Sequence, residues 1–266
     1  MPETTQSQPE RRKPHQPFAW KTGNDTCVIM IHGYAGSPDQ FLFLAGQLVE
    51  DGVDCASLLL PGHGGTSREF GHEFDQEWRQ HVRQEVDRLR DQYRQVVLIG
   101  HSMGGLLCLE YAAQTPVAGV ISISAPMGIR LNIFQMALAM EMLFTSPGHG
   151  RPIVETYRAG FGVRMTGLFS PLAFVLPSIS LFRTIRRVRR VLPLVRVPVL
   201  LIQSKKDETI WRGSADQIAG LLGRPTTILR LVRSRHAWRV PEEEAMVTSR
   251  IREMVKILAS SAPDQV

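Results

Sequence analysis

The stretch QVVLIGHSMGGLLCLEYAAQ, residues 95–114, decides how this chain is read. Gln95 to Ile99 form a short apolar run rich in β-branched residues that stops at Gly100, the pattern of a buried strand. Leu106 to Gln114 reads as a helix. Between them stands Gly100-His101-Ser102-Met103-Gly104, a G-x-S-x-G turn in which the serine occupies a strained strand-to-helix corner and the glycines let neighbouring chain pass close by. The corner also sets Ser102 at a helix N-terminus, where free N–H groups and the positive end of the dipole favour developing negative charge. A bare G-x-S-x-G string is also an ordinary glycine turn. The strand before it and the helix after it make Ser102 a candidate nucleophile.

Working outward, Thr26–Ile31 (TCVIMI) is a second such run, stopped by His32-Gly33, and 117–123 (VAGVISI) and 197–202 (VPVLLI) repeat it. Runs that are apolar on both faces suit central strands of a parallel sheet covered on both sides. Helical patterns lie between them, the clearest from Glu73 to Tyr93, with Phe74, Trp78, Val82, Val86, Leu89 and Tyr93 spaced by three or four. The alternation predicts an α/β fold with a mostly parallel central sheet and helices on both faces. It breaks after Pro126, and the chain up to Val197 is longer than one crossover helix requires. The expected layout is a disordered, polar N-terminal tail over 1–17, a core over 18–126 and 197–262, and a cap or lid insertion over 127–196.

A chain of 266 residues, 43% hydrophobic, suits one large domain. The net charge of +6 is carried by arginines scattered among acids, without basic blocks interleaved with aromatics, so no nucleic-acid partner is expected. Cys27, Cys55 and Cys108 sit in apolar runs and form no disulfide framework. No apolar segment follows Arg11 and Arg12 as a leader would require, and cytoplasmic is the default expectation. The longest uncharged stretch, Met165 to Phe182, carries Gly167, Pro171 and Pro177 and reads as buried or lid structure, not as a membrane span.

A serine hydroxyl needs a histidine base, and the base needs a carboxylate to fix its tautomer. With a nucleophile elbow the chain order is serine, acid, histidine. Two histidines follow Ser102: His149, in the SPGHG loop of the expected cap, and His236, in SRHAW just past the apolar run 226–232. Of the acids between, Asp207 and Glu208 follow directly on a strand, in VLLIQSKKDETI; Asp207 is preferred and Glu208 held in reserve. An oxyanion hole needs two N–H donors, expected from Met103, after the nucleophile, and from Tyr34 in HGYAGSP, where a plain tight turn is the alternative.

In the expected cap, Asn132 to Phe144 places Ile133, Met136, Ala137, Met140 and Leu143/Phe144 on one helical face. Flexible methionines suit an acyl pocket, which makes Met127, Met136 and Met140 candidate substrate contacts; packing against the body is the other reading. Leu181 to Leu192 reads as a helix with Phe182, Ile185, Val188, Val191 and Leu192 inward and Arg183, Arg186, Arg187 and Arg190 outward. Such a basic face is either simply solvated or a weak contact for an anionic membrane surface.

HGYAGSP (32–38), LPGHGGTS (60–67), GHSMGG (100–105), SAPMGI (124–129), KDETI (206–210) and the late His236 follow one another as they do in small bacterial carboxylesterases and monoacylglycerol lipases of the α/β-hydrolase superfamily. The chain resembles that family over about residues 26–259. The resemblance implies the α/β-hydrolase fold, a Ser102/Asp207/His236 triad, an oxyanion hole from the backbone of Tyr34 and Met103, no metal and no cofactor. It also implies hydrolysis of a small-molecule ester or lipid, with short to medium acyl esters or monoacylglycerols as substrates. One departure is Arg235, where the family usually carries glycine before the histidine. Rival readings are another acyl-transfer reaction on the same scaffold, such as a thioesterase, peptidase or acyltransferase, and a non-catalytic ligand-binding homologue. Dehalogenase and epoxide hydrolase chemistry is disfavoured, because those members use Asp where this chain has Ser102.

Overall fold

A computed structural model describes residues 13–130, 149, 154–155, 160–166, 170–224, 226–237 and 239–261. Seven strands form one sheet: β1 Phe18–Trp20, β2 Thr26–Ile31, β3 Asp54–Leu58, β4 Gln95–His101, β5 Gly119–Ile123, β6 Val199–Ser204 and β7 Thr227–Leu231. Their order is β1-β3-β2-β4-β5-β6-β7, with β1 antiparallel at the edge and every other pair parallel. The register sets Ile31 beside Gly100, His101 beside Ile123, Ile123 beside Ile202 and Ser204 beside Leu231. The C-terminal ends of five strands therefore lie along one edge. The loops that carry Tyr34, Ser102, Asp207 and His236 all leave from that edge.

The α-helices whose full extent lies among the described residues are α1 Leu42–Glu50, α2 Ser67–Phe70, α3 Asp75–Arg90, α4 Met103–Ala112, α5 Val175–Val191, α6 Ser214–Leu221 and α7 Pro241–Ser260. Alternate residues of each central strand feed two separate cores. Val28, Met30, Val97, Ile99, Ile121, Leu200 and Ile202 pack with α1 and α7. Ile29, Ile31, Leu98, Val120 and Leu201 pack with α3, α4, α5 and α6. This is why the strands are apolar at both parities, and it is the α/β architecture expected from the sequence.

Some elements differ from expectation. β3, with the sequence DCASL, offers no apolar run, yet it is buried: Asp54 is answered internally, accepting from Thr22 N (2.7 Å) and the Tyr93 hydroxyl (2.8 Å). Tyr93 has therefore left the helix, which ends at Arg90, and Phe74 is its extended, exposed N-cap. Of the tail expected over 1–17, residues 13–17 are among those described, and His15 makes contacts there. The backbone N–H of His15 donates to Asp39 (3.0 Å) and its ring lies 2.9 Å from Ser37 Oγ.

α5 begins at Val175, well before Leu181, and its rotation corrects two expectations. Its buried stripe runs through Pro177, Ser180, Leu181, Thr184, Ile185 and Val188. Phe182 was expected inward, but it stands about 100° round the helix from Leu181 and is 48% exposed. Arg187 was expected outward; it is instead drawn in between Glu110 of α4, 2% exposed, and Asp75 of α3, pairing with both. A carboxylate buried that deeply requires a partner charge. The helix expected over 132–144, with Met136 and Met140, lies outside the described residues. Among the described residues no helix is long and apolar enough to cross a membrane.

Candidate active site

Ser102 sits between β4 and α4 with φ 52° and ψ −118°, a conformation that costs a serine roughly 1–3 kcal/mol. Its N–H donates to the Ile123 carbonyl (2.7 Å), and its carbonyl accepts from Gly105 (3.0 Å) and Leu106 (3.3 Å). The corner presses on the end of β2: a Cβ at Gly104 would fall on the carbonyl oxygens of Ile31 and His32, and one at Gly100 on the backbone of Gly104. Met103 opens α4, so its N–H has no acceptor within the helix.

Tyr34 lies in a hydrogen-bonded turn, Gly36 N–H to Gly33 O at 3.0 Å, with Ala35 left-handed at φ 53°. Two buried histidines hold the turn. The Ala35 N–H donates to His63 Nε2 (3.2 Å), leaving His63 Nδ1 to donate to the Pro61 carbonyl (3.0 Å). His32 Nε2 accepts from the Leu60 N–H (3.1 Å), and its Nδ1 donates to Gly33 O (2.9 Å). Each ring therefore serves as donor and acceptor at once, which only the neutral form can do. Burial drives both below the ordinary imidazole value, His63 to about 4. The Tyr34 ring packs on Phe70, Trp78 and Phe174. Its hydroxyl donates to the Phe174 carbonyl (3.0 Å) and lies 2.9 Å from Ser178 Oγ.

His236 Nδ1 is 2.9 Å from Asp207 Oδ2, while Asp207 Oδ1 accepts from the N–H groups of Thr209 (2.9 Å) and Ile210 (3.0 Å). Burial opposes the charge on Asp207, but His236 and the two amides outweigh it and hold the carboxyl below its usual range. Burial likewise opposes a charged His236; the carboxylate of Asp207 prevails and raises it above the ordinary value. With Nδ1–H committed to Asp207, the ring presents its lone pair at Nε2.

The loop that carries this histidine is clamped from three sides. Glu243, in the first turn of α7, accepts from the N–H groups of Val232 (2.7 Å), Arg233 (2.9 Å) and Ser234 (2.8 Å). Burial opposes its charge too, yet the hydrogen bonds from Ser234 and the backbone bring it to about 2. Ser204 donates its hydroxyl to the Ser234 carbonyl. His101 donates from Nε2 to the His236 carbonyl (3.1 Å), and burial together with the charge of His236 takes it down to about 3. Glu208, the reserve acid, accepts from the His236 backbone N–H at 3.4 Å and pairs with Arg235 at 3.8 Å. The structure thus places Asp207, not Glu208, at the imidazole, and the charge introduced by Arg235 is answered.

Tyr34, Ser102 and His236 line one hollow of about 90 Å³ together with His101, Gly160 and Phe161. Met127 is buried in the core and is not among the described residues lining this hollow, and His149 is exposed. A larger groove of about 630 Å³ lies at the other end of the sheet, between Asp25, Asp51, Arg252 and Lys256; the described residues that line it include Ser249 and Ser260 but no histidine to serve either as base. Among the described residues no three His, Cys, Asp or Glu side chains converge as metal ligands would. Among the supports missed from sequence are His63, His101 and Glu243. The first two stand inside motifs already singled out, LPGHG and GHSMGG, whereas Glu243 has no signal beyond an acid in a helix's first turn.

The profile described as "Alpha/beta hydrolase family" matches residues 28–248. A carboxylesterase of Bacillus subtilis (strain 168) is 29% identical over 116 residues, 43% of this chain and 47% of that protein, so the match spans about half the length of that relative. A thermostable monoacylglycerol lipase of Bacillus sp. (strain H-257) is 24% identical over 237 residues, covering 88% of this chain and 92% of the lipase. Among solved structures, a chain from work on LipS and LipT, two metagenome-derived lipolytic enzymes, superposes with a TM-score of 0.72 at 23% identity, covering 91% of this chain and 98% of that one. At that identity the likeness speaks for the fold.

Proposed function

From the premise that this chain belongs to the alpha/beta hydrolase family, we propose that it is a serine hydrolase of carboxylic esters, with short to medium acyl esters or monoacylglycerols as substrates. The observation that carries the reading is the 2.9 Å pairing of His236 Nδ1 with a fully buried Asp207, beside a hollow that His236 shares with Ser102. Ser102 Oγ attacks the ester carbonyl while His236 Nε2 takes its proton; Asp207 stabilises the imidazolium. The carbonyl oxygen, now negative, is met by the backbone N–H groups of Tyr34 and Met103. Collapse expels the alcohol, which receives the proton from His236, and leaves an acyl group on Ser102. Water, activated by the same imidazole, then releases the acid and restores the serine. In this reading residues 18–126 and 197–262 form the catalytic core and 127–196 the cap over it. The ester preference is supported by the named activities of the two Bacillus relatives.

The test uses p-nitrophenyl esters and a fluorophosphonate probe. Wild type turns over the esters and gains the probe's mass on the peptide containing Ser102. Ser102→Ala loses on the order of a millionfold in kcat with its circular dichroism unchanged. Near-normal turnover by that variant overturns the assignment.

A further inference from the structure

One face of α5 has no partner in the catalytic scheme. The helix VLPSISLFRTIRRVRRV contains no acidic residue. At 100° per residue, Val175, Leu176, Ile179 and Phe182 fall within about 60° of Ile179, and Arg183, Arg186, Arg189 and Arg190 within about 80° of it. All eight are exposed and share a sector opposite the buried stripe. Leu172, one turn ahead, extends the row, and the five apolar side chains are 43–66% exposed. Over roughly 25 Å the face is thus sorted along its axis, apolar towards the N-terminus and cationic towards the C-terminus.

A contiguous apolar surface of this kind marks an interaction site, and its chemistry selects the occupant. A second copy of this chain would bring the same arginines to a two-fold contact, where they repel. A nucleic acid matches the arginines but not the apolar half. A bilayer with anionic headgroups matches both, offering acyl chains beside a layer of phosphates. The apolar end also adjoins the candidate site: Phe174, directly before α5, packs against Tyr34 (6.4 Å between rings) and Phe161 (6.1 Å), both of which line the Ser102 hollow.

We propose that this face docks the protein on an anionic lipid surface, with Ile179 and Phe182 at the acyl boundary and Arg183, Arg186, Arg189 and Arg190 at the phosphates. The hollow at Ser102 then draws its ester from the membrane. Only this last consequence rests on the esterase reading; the docking does not.

The experiment is co-sedimentation of the full chain, as the inert Ser102→Ala variant, with phosphatidylcholine vesicles with and without roughly 30% phosphatidylglycerol, at low salt and at about 0.5 M salt. Binding is expected to the anionic vesicles at low salt and to weaken with salt. Each arginine removed should cost about fivefold, the equivalent of ~1 kcal/mol, so Arg186→Gln/Arg190→Gln binds about 25-fold more weakly. Ile179→Asp/Phe182→Asp should abolish binding. In the Ser102 background both variants should turn over soluble p-nitrophenyl butyrate as wild type does, which shows that they fold. Equal binding to both vesicle types, or binding indifferent to the substitutions, overturns the proposal. So does sedimentation velocity showing a dimer that Ile179→Asp/Phe182→Asp dissolves. Vesicle binding without any ester hydrolysis by wild type keeps the docking and removes the ester.

Discussion

Replacing Asp207 by Asn tests the acid through its neighbours. Oδ1 accepts two backbone N–H groups and Oδ2 faces His236 Nδ1. The amide of Asn has one acceptor and one donor end. Turning its NH2 towards Thr209 and Ile210 would leave two buried N–H groups unpaired, at about 1–3 kcal/mol each. The oxygen therefore keeps that place and the NH2 faces His236, which must offer Nδ1 as acceptor and carry its hydrogen on Nε2. That is the tautomer that cannot take the proton from Ser102. Two unpaired donors at the low end favour it by about thirtyfold; the full loss reaches about ten-thousandfold in kcat, near 5.4 kcal/mol at 1.36 per decade. KM should change little, because Asp207 is fully buried and lies behind the histidine. The assay is steady-state hydrolysis of p-nitrophenyl butyrate, with thermal unfolding to check the fold and Glu208→Gln as the companion. A loss below about tenfold in Asp207→Asn, or a larger loss in Glu208→Gln, would refute the reasoning.

Because His236 must be neutral to act as base and Asp207 raises it above the ordinary imidazole value of 6.5, kcat/KM should fall on acidification with a midpoint above that value. An acid limb centred below it contradicts the pairing. Glu243→Gln keeps the size of the clamp but removes its charge; urea unfolding should show a loss of about 1–3 kcal/mol, with lower kcat as the histidine loop loosens. The carboxyl of Glu243 is depressed to about 2 in the fold, so its contribution is complete above the unfolded value near 4.3 and disappears as pH falls from there towards 2. A variant whose stability runs parallel to wild type across that window removes the clamp from the account.

Strands such as β2, β4 and β6 were legible because each feeds two cores, and a run apolar at both parities has few other uses. β3 was not, since its polar Asp54 is satisfied by a turn and a tyrosine far off in sequence. The same contrast separates the candidate residues from their supports. Ser102, Asp207 and His236 announce themselves by residue type, chain order and position after strands. His63, His101 and Glu243 act on backbone N–H and C=O groups, which every residue possesses, so no side-chain pattern records the pairing. The rotation of α5 failed for another reason. Reading Phe182 inward assumes that apolar means buried, and here the helix keeps a second apolar row in water while Glu110 pulls Arg187 to the body.

Tyr34 belongs to two regions at once, its backbone in the turn beside Ser102 and its hydroxyl bound to Phe174 and Ser178 on the far side of the expected boundary at 127–196. The segment 127–196 is therefore not a self-contained cassette. A recombinant that imported this segment from a relative lacking the hydroxyl at 178, or with a backbone that carries the carbonyl of 174 elsewhere, would leave the half-buried phenol of Tyr34 unanswered and slacken the turn it anchors. The tyrosine at 34, the hydroxyl at 178 and the backbone course at 174 form one unit, and an engineer grafting across that boundary would have to keep them matched.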